Sequence, residues 1–299
     1  VMIYDVTVIG AGIAGMTAAI FAARREQKVL IVTNNIGGQL YNILEIENWP
    51  GEDLISGSQL AQKIKSQLDK YSVDIKYLNI ENIKRDGDNF KVNTINEQIQ
   101  SKTIILAYGK SPSKLNIKGE DKFVGRGVSY CVNCDCQFFR NKIVAVVGGG
   151  NSALEAAITL SKIGQKVYLI HRQDTFRGED ILINNVKNNK NIELILNDKI
   201  TEINGESKVQ SIRTGNGKEI QLDGIFVEVG HIADATIIKD LVKVDDKNHV
   251  ITDIDQSTST SGVFAAGDIT NHPFNQLIIA SGQGATAALS AVRYLQSKR

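Results

Sequence analysis

Two segments of the chain are built on one template. When residues 6–20 are laid on residues 144–158 at a constant offset of 138, seven of fifteen positions are identical: Val6/Val144, Val8/Val146, Gly10/Gly148, Gly12/Gly150, Ala18/Ala156, Ala19/Ala157 and Ile20/Ile158. Each segment passes from an apolar run through a glycine turn into a run rich in alanine. That order predicts a buried parallel strand, a tight turn and a helix packed back on the strand. A second apolar run follows each helix, at 28–32 and at 166–170, so each segment is expected to open a Rossmann βαβ unit. The expected fold is α/β with two Rossmann-like domains.

In the first turn, Gly10-Ala11-Gly12-Ile13-Ala14-Gly15, Gly10 permits the tight bend, Gly12 lets backbone approach a pyrophosphate, and Gly15 lets helix pack on strand. The helix N-terminus then offers N–H groups to the anion. The second turn, Gly148-Gly149-Gly150-Asn151-Ser152-Ala153, repeats the first two glycines. The strands that follow end differently. A site for a free ribose 2′-hydroxyl carries an acid there. The first unit has Thr33-Asn34 instead, which leaves the ribose contact unassigned, and the second has Arg172 and then Arg177. Either arginine alone also reads as a solvated surface charge. Together, in place of the acid, they suit a 2′-phosphate and favour NADPH.

All three cysteines, Cys131, Cys134 and Cys136, lie within six positions just ahead of the second turn. A Cys-x-x-Cys pair cycles between dithiol and disulfide and carries two electrons each way. A nicotinamide also carries two, and neither group passes hydride readily to the other, so a third redox group is expected between them. No metal is expected, because zinc takes four ligands and the histidines, His171, His231, His249 and His272, lack ligand spacing. Cys136 reads as a small buried filler.

The remaining chain supplies context. Its 299 residues exceed one typical domain, and 42% apolar residues with 26 glycines fit a glycine-turn-rich α/β protein. Lys and Arg number 34 against 33 Asp and Glu, with no basic run, so neither nucleic acid nor an anionic membrane is an expected partner. No apolar stretch nears the ~18 residues of a membrane span, and the chain enters a strand without a charged leader, so a cytoplasmic location is expected. Gly37-Gly38-Gln39 and Glu47-Asn48-Trp49-Pro50-Gly51 read as a glycine-rich loop, equally functional or plain. Leu60, Ile64, Leu68 and Tyr71 recur at helical spacing after Ser56, and strands are expected at 73–77, 90–92 and 103–107. Turn-forming composition at 109–119 and the polar segment 239–246 are the expected domain boundaries, and 191–229 is expected to be rich in strand. A strand at 263–266 ends in Gly267-Asp268, where Asp268 reads as a hydroxyl acceptor or equally as a turn residue. A final helix is expected at 276–295.

With these residues assembled, the sequence resembles the low-molecular-weight thioredoxin reductases of bacteria and archaea along nearly its whole length. The shared motifs, in family order and spacing, are G-A-G-I-A-G, G-G-Q, E-N-W-P-G, G-V-S-Y-C-V-N-C-D, V-A-V-V-G-G-G-N-S-A, H-R-x-x-x-x-R and G-V-F-A-A-G-D. The resemblance implies FAD on the first unit and NADPH on the second, with a discontinuous FAD domain (1–113 and 242–299) flanking a nicotinamide domain (114–241) that carries the Cys-x-x-Cys. It also implies a homodimer and, as electron acceptor, thioredoxin or a thioredoxin-like protein. Carried over by residue, it places FAD contacts at Gly10, Gly12, Ala14, Gly15, Gly38, Gln39, Asn48, Gly109, Gly267, Asp268 and Gln276. It sets Gly148, Gly150, Asn151, Ser152, Arg172 and Arg177 at the second dinucleotide. Cys134 would lie nearest the flavin, Cys131 would attack the partner's disulfide, and Asp135 would serve as acid and base.

The chain departs from the family pattern at several positions. Tyr108 stands where Thr is usual, Cys136 replaces Gly, Gln173 replaces Arg, 231–235 lacks Pro-Asn-Thr, and Asn275 takes the place of an Arg. Residues 275–282 also resemble the flavoprotein component of alkyl hydroperoxide reductase, whose N-terminal thioredoxin-like extension is not expected here. The rival expectations are a reductase fed by NADH or ferredoxin, an NAD(P)H oxidase or peroxiredoxin-reducing flavoprotein, and a redox sensor that holds dinucleotide without turnover.

Overall fold

The computed structural model describes residues 2–43 and 45–298. The chain divides into two compact units: one runs to Ser111 and resumes at Ile232, and the other is Pro112–His231. The first crossing falls within the turn-forming stretch. The second comes earlier than the polar composition of 239–246 suggests, because Ala233, Ile238, Leu241 and Val242 are already buried in the core of the first unit.

In the first unit the strand Ile3–Ala11 lies parallel between Val29–Ile36 and Gln98–Leu106, pairing Val8 with both Ile31 and Ile105. Val73–Tyr77 extends the sheet beyond Val29–Ile36, and Val263–Ala265 pairs parallel with Gln98–Leu106. The strand Gln98–Leu106 also pairs antiparallel with Asn89–Thr94, which continues to Ile80–Asp86 through the Gly87 turn. Both faces are covered, so the strands are continuous apolar runs. Alternate residues serve the two faces: Val6, Val8, Val29 and Ile31 pack in one core, and Ile9, Leu30 and Val32 in the other.

The helix Ile13–Ala23 covers the first of those faces with Ala14, Met16, Ala18, Ala19 and Ala22. Small residues allow close approach. The helix Leu277–Ser297 crosses it with Gly284 so near that a Cβ there would lie 2.2 Å from the Ala14 carbonyl oxygen, and Thr17 and Ser281 share a 3.1 Å hydrogen bond between hydroxyls. The helix Gly57–Leu68 begins where expected, closed by a capping box between Ser56 and Gln59.

The second unit repeats the plan on a smaller scale. Its main sheet has five parallel strands, in the order Ile192–Leu196, Lys166–His171, Ile143–Val147, Gly224–Val227 and Val128–Ser129. Val144 and Val146 pack under the helix Asn151–Ser161 through Ala153, Leu154 and Ala157. Ala145 and Val147 face Ile200, Ile203, Ile212 and Ile220, from the three-stranded antiparallel sheet that fills the region expected to be strand-rich. Two elements depart from expectation. Gly38–Asn42 is a short 3₁₀ helix rather than loop, and Asp180–Lys187 is a helix where none is expected.

Candidate active site

The first turn joins Ile3–Ala11 to Ile13–Ala23. Gly10 stands at φ +100°, and a Cβ there would lie 2.6 Å from the Ala107 carbonyl oxygen. A Cβ on Gly15 would lie 2.0 Å from the Gly10 carbonyl oxygen. Both glycines are therefore required by the protein itself. Gly12 is not: a Cβ on it would meet nothing within 4 Å, which leaves space at a helix N-terminus for an anion.

Two of the other expected residues, Gly38 and Gly267, lie against this turn. A Cβ on Gly38 would fall 3.2 Å from the Gly12 Cα, and one on Gly267 would fall 3.0 Å from the Ala14 Cβ. Gln39 Nε2 donates to the Lys110 carbonyl at 2.9 Å, beside Gly109, and Asn48 Nδ2 donates to Gln276 Oε1 at 3.2 Å. Asp268 is half-buried next to Gly267. At the strand end lacking an acid, Asn35 Oδ1 accepts from the Gly38 N–H at 3.1 Å and so starts the 3₁₀ helix. Tyr108, the residue that departs from the family's Thr, donates from its hydroxyl to the Asp234 carbonyl at 2.9 Å, and burial pushes its phenol well up.

The second turn has the same backbone logic. A Cβ on Gly148 would lie 2.2 Å from the Glu228 carbonyl oxygen, whereas one on Gly150 would meet nothing within 4 Å. Buried Ala153 takes the place of the third glycine. Arg172 follows the strand Lys166–His171 directly, and the chain then bends back so that the Arg177 N–H donates to the Gly149 carbonyl at 2.8 Å. Both arginine side chains are exposed. Asn151 is engaged sideways: its Nδ2 donates to Glu179 Oε1 at 3.0 Å, and its Oδ1 accepts from the Glu179 N–H at 2.8 Å. Ser152 is exposed. His171 is buried, stacked on Phe176 with ring centroids 5.6 Å apart. Burial holds its imidazole below the ordinary value; the nearby Arg177 and Arg172 act in the same direction.

Cys131 and Cys134 are joined as a disulfide, with Cα atoms 5.4 Å apart. Cys131 caps the single helical turn Val132–Asp135, and the Cys134 N–H donates to its Sγ at 3.1 Å. Cys134 is exposed and Cys131 half-buried. Asp135 Oδ2 accepts from Ser129 Oγ at 2.7 Å, and the same Ser129 Oγ accepts from the Cys131 N–H at 3.1 Å. Cys136 is 8% exposed and packs with Val132, Phe139 and Leu154 in the core of the second unit, as a compact apolar group does. Among the described residues, no group of three or more His, Cys, Asp and Glu is placed to hold a metal ion.

Residues 4–287 match the family model described as pyridine nucleotide-disulphide oxidoreductase. The chain belongs to that family. Among its relatives, this oxidoreductase is 37% identical over 301 residues to the thioredoxin reductase of Mycolicibacterium smegmatis, covering 98% of this chain and 97% of that protein. It is 36% identical to an alkyl hydroperoxide reductase component of Staphylococcus aureus, covering 98% of this chain but 59% of that longer protein. The crystal structure of Lactococcus lactis thioredoxin reductase in its FR conformation superposes with a TM-score of 0.88 at 38% identity, covering 98% of this chain and 99% of that one.

Three residues in contact with candidate site residues of the oxidoreductase were not singled out in the sequence. Ser129 binds both Asp135 and the Cys131 N–H, and Gln283 Oε1 accepts from the Gly267 N–H at 2.8 Å. Glu228 stands beside Gly148. Ser129 sits inside the motif G-V-S-Y-C-V-N-C-D and Gln283 is the single amide in the small-residue run 280–285, whereas Glu228 left no trace.

Proposed function

We propose that the chain is a thioredoxin-disulfide reductase, passing two electrons from NADPH through FAD to the Cys131–Cys134 disulfide and on to thioredoxin or a thioredoxin-like protein. The observation that carries this reading is the Cys-x-x-Cys disulfide, capped and hydrogen-bonded, in the same unit as a second glycine turn. In this reading the discontinuous unit holds FAD at Gly10, Gly12, Ala14, Gly15, Gly38, Gln39, Asn48, Gly109, Gly267, Asp268 and Gln276. The central unit holds NADPH at Gly148, Gly150, Asn151, Ser152, Arg172 and Arg177. The open space at Gly12 and at Gly150 fits a pyrophosphate at each turn. When bound, the two cofactors supply the electron pair that opens the disulfide.

The chain's own residues then perform thiol–disulfide exchange. The Cys134 N–H, directed at Cys131 Sγ, stabilises a thiolate on Cys131. That thiolate attacks one sulfur of the partner's disulfide; an S–S bond forms between Cys131 and the partner, and the partner's other sulfur leaves as a thiolate. Asp135, oriented by Ser129, takes the proton of the Cys134 thiol and delivers it to the leaving sulfur. Cys134 next attacks Cys131 Sγ, restoring the intramolecular disulfide and releasing the reduced partner. A second copy of the chain and a cytoplasmic setting complete the proposal, and sedimentation of the holoprotein tests the dimer.

The deciding experiment is anaerobic: reduce the flavin with NADPH or with NADH, then add oxidised thioredoxin. Reoxidation of the enzyme by thioredoxin is expected in the native protein and in Cys136→Ala, and is expected to be abolished in Cys131→Ser and Cys134→Ser. Reoxidation by oxygen or hydroperoxide alone, with thioredoxin inert, would sink the proposal in favour of an oxidase or a peroxiredoxin-reducing flavoprotein.

A further inference from the structure

The second unit carries a carboxyl that the exchange chemistry does not use. Glu228 directly follows the strand Gly224–Val227; its N–H donates to the Val147 carbonyl at 2.8 Å. In this sheet the chain leaves Ile143–Val147 toward Lys166–His171 and Ile192–Leu196 on one side, and later returns to Gly224–Val227 on the other. The gap between Ile143–Val147 and Gly224–Val227 is therefore a topological switch point, at whose carboxyl end a dinucleotide lies across the sheet. Gly148 forms one lip of that gap and Glu228 the other. A 2′-phosphate held by Arg172 and Arg177 fixes the adenosine on the Lys166–His171 side. The nicotinamide half then falls on the side of Glu228.

The groups around this carboxyl come from each neighbouring element. Glu155 lies on the helix that starts at the turn, and Glu179, held by Asn151, faces Glu155. Asp135 follows the strand Val128–Ser129, while His171, Arg172 and Arg177 lie at and beyond the end of Lys166–His171. The neighbouring charge that bears on Glu228 is that of Glu155.

Resting on the NADPH reading above, we propose that Glu228 sets the redox-state preference of the dinucleotide site: its carboxylate attracts the cationic pyridinium ring of the oxidised cofactor and has no such attraction for the neutral reduced ring. Burial first, and then Glu155, push the Glu228 carboxyl up to about 7, so its charge changes across the neutral range. Below that value the site accepts NADPH without favouring its product. Above it, the ionised carboxylate retains NADP⁺, and product inhibition grows with pH.

The test is calorimetric titration of the oxidised holoenzyme with NADP⁺ and with 1,4,5,6-tetrahydro-NADP, whose neutral ring cannot donate hydride. Both ligands carry the 2′-phosphate, so its own titration cancels in the ratio of their affinities. In the native protein the preference for NADP⁺ is expected to rise on the order of tenfold between about pH 6 and about pH 8.5, and in Glu228→Gln to stay flat. A flat native ratio, or a slope that persists in Glu228→Gln, overturns the proposal. If neither ligand binds at all, the dinucleotide reading itself falls, and the proposal with it. Should the variant fail to fold, proton release decides: near neutral pH, in two buffers of different ionisation enthalpy, NADP⁺ is expected to release more protons than the analogue, and equal release counts against Glu228.

Discussion

The two glycine turns begin from one sequence template and become different sites. In both, the first glycine is held by a carbonyl of the chain itself, and the second faces space where a Cβ would meet nothing within 4 Å. The surroundings diverge. Gly38 and Gly267 lie against the first turn, and the other residues proposed for that site are uncharged apart from Asp268; at the second turn stand His171, Arg177, Glu179 and Glu228, with Arg172 next to them at the strand end and Glu155 in the helix. Under the proposed function, a repeated backbone sets where a pyrophosphate would rest, and the side chains around it would select which dinucleotide, in which charge state, is held there.

The comparison breaks most visibly if the open glycines are filled. Gly12→Val and Gly150→Val each add a side chain where the protein leaves room, so both variants are expected to fold. Gly12→Val is expected to emerge colourless, while Gly150→Val keeps its flavin and loses reduction by NADPH; flavin-to-protein absorbance and anaerobic reduction check both. Full flavin occupancy in Gly12→Val would end the assignment of the first turn.

A smaller effect tests the arginines. Replacing Arg172 and Arg177 together with Ala removes charge-assisted contacts of about 1.5 to 3 kcal/mol each, so the KM for NADPH is expected to rise by at least about tenfold. The KM for NADH should move far less. Equal changes for both cofactors would place the two arginines outside the 2′-phosphate site.

The smallest effect concerns stability against pH, where two groups of the second turn pull in opposite directions. The carboxyl of Glu228 is raised from 4.5 to about 7 in the folded protein. Between those values the unfolded chain ionises while the fold resists, so stability falls as pH rises, by at most on the order of 3 kcal/mol once above about 7. The imidazole of His171 is held below its ordinary 6.5, so the unfolded chain takes up a proton first and stability falls as pH drops below that value. Urea unfolding of Glu228→Gln is therefore expected to show a gain at alkaline pH and an uncompensated rise between about pH 5 and about pH 7. An unchanged profile would mean that Glu228 is not carrying the burial described for it.

Much of the fold was legible because buried parallel strands are unbroken apolar runs. The expected strand at 28–32 overlaps Val29–Ile36 at four of its five residues, and the Ser56 start of the helix Gly57–Leu68 is a local hydrogen-bond pattern that sequence displays directly. The 3₁₀ helix Gly38–Asn42 was hidden by its glycines, although the Gly38 N–H at its start donates to the nearby Asn35 side chain. The helix Asp180–Lys187 was hidden by its polar surface, with Val186 as its one buried residue. The crossing at Ile232 depends on which core receives Ala233 and Ile238, which composition does not report. Within the site, the glycines and cysteines were legible since each has a backbone or covalent reason for its identity. The bonds of Ser129 to Asp135 and to the Cys131 N–H are local but leave no pattern in the residue types, while Gln283 and Glu228 meet partners far along the chain, Gly267 and Gly148.

The contact between the helices Ile13–Ala23 and Leu277–Ser297 has a consequence for biosynthesis. Thr17 and its partner Ser281 are separated by 264 residues, so the first glycine turn leaves the ribosome long before the helix that backs it exists. The central unit, Pro112–His231, is contiguous and gathers its whole core earlier. Nascent chains therefore carry a finished second turn beside a first turn whose alanine face is still bare to chaperones. A chain stalled before residue 277 is left without the helix that backs its first turn.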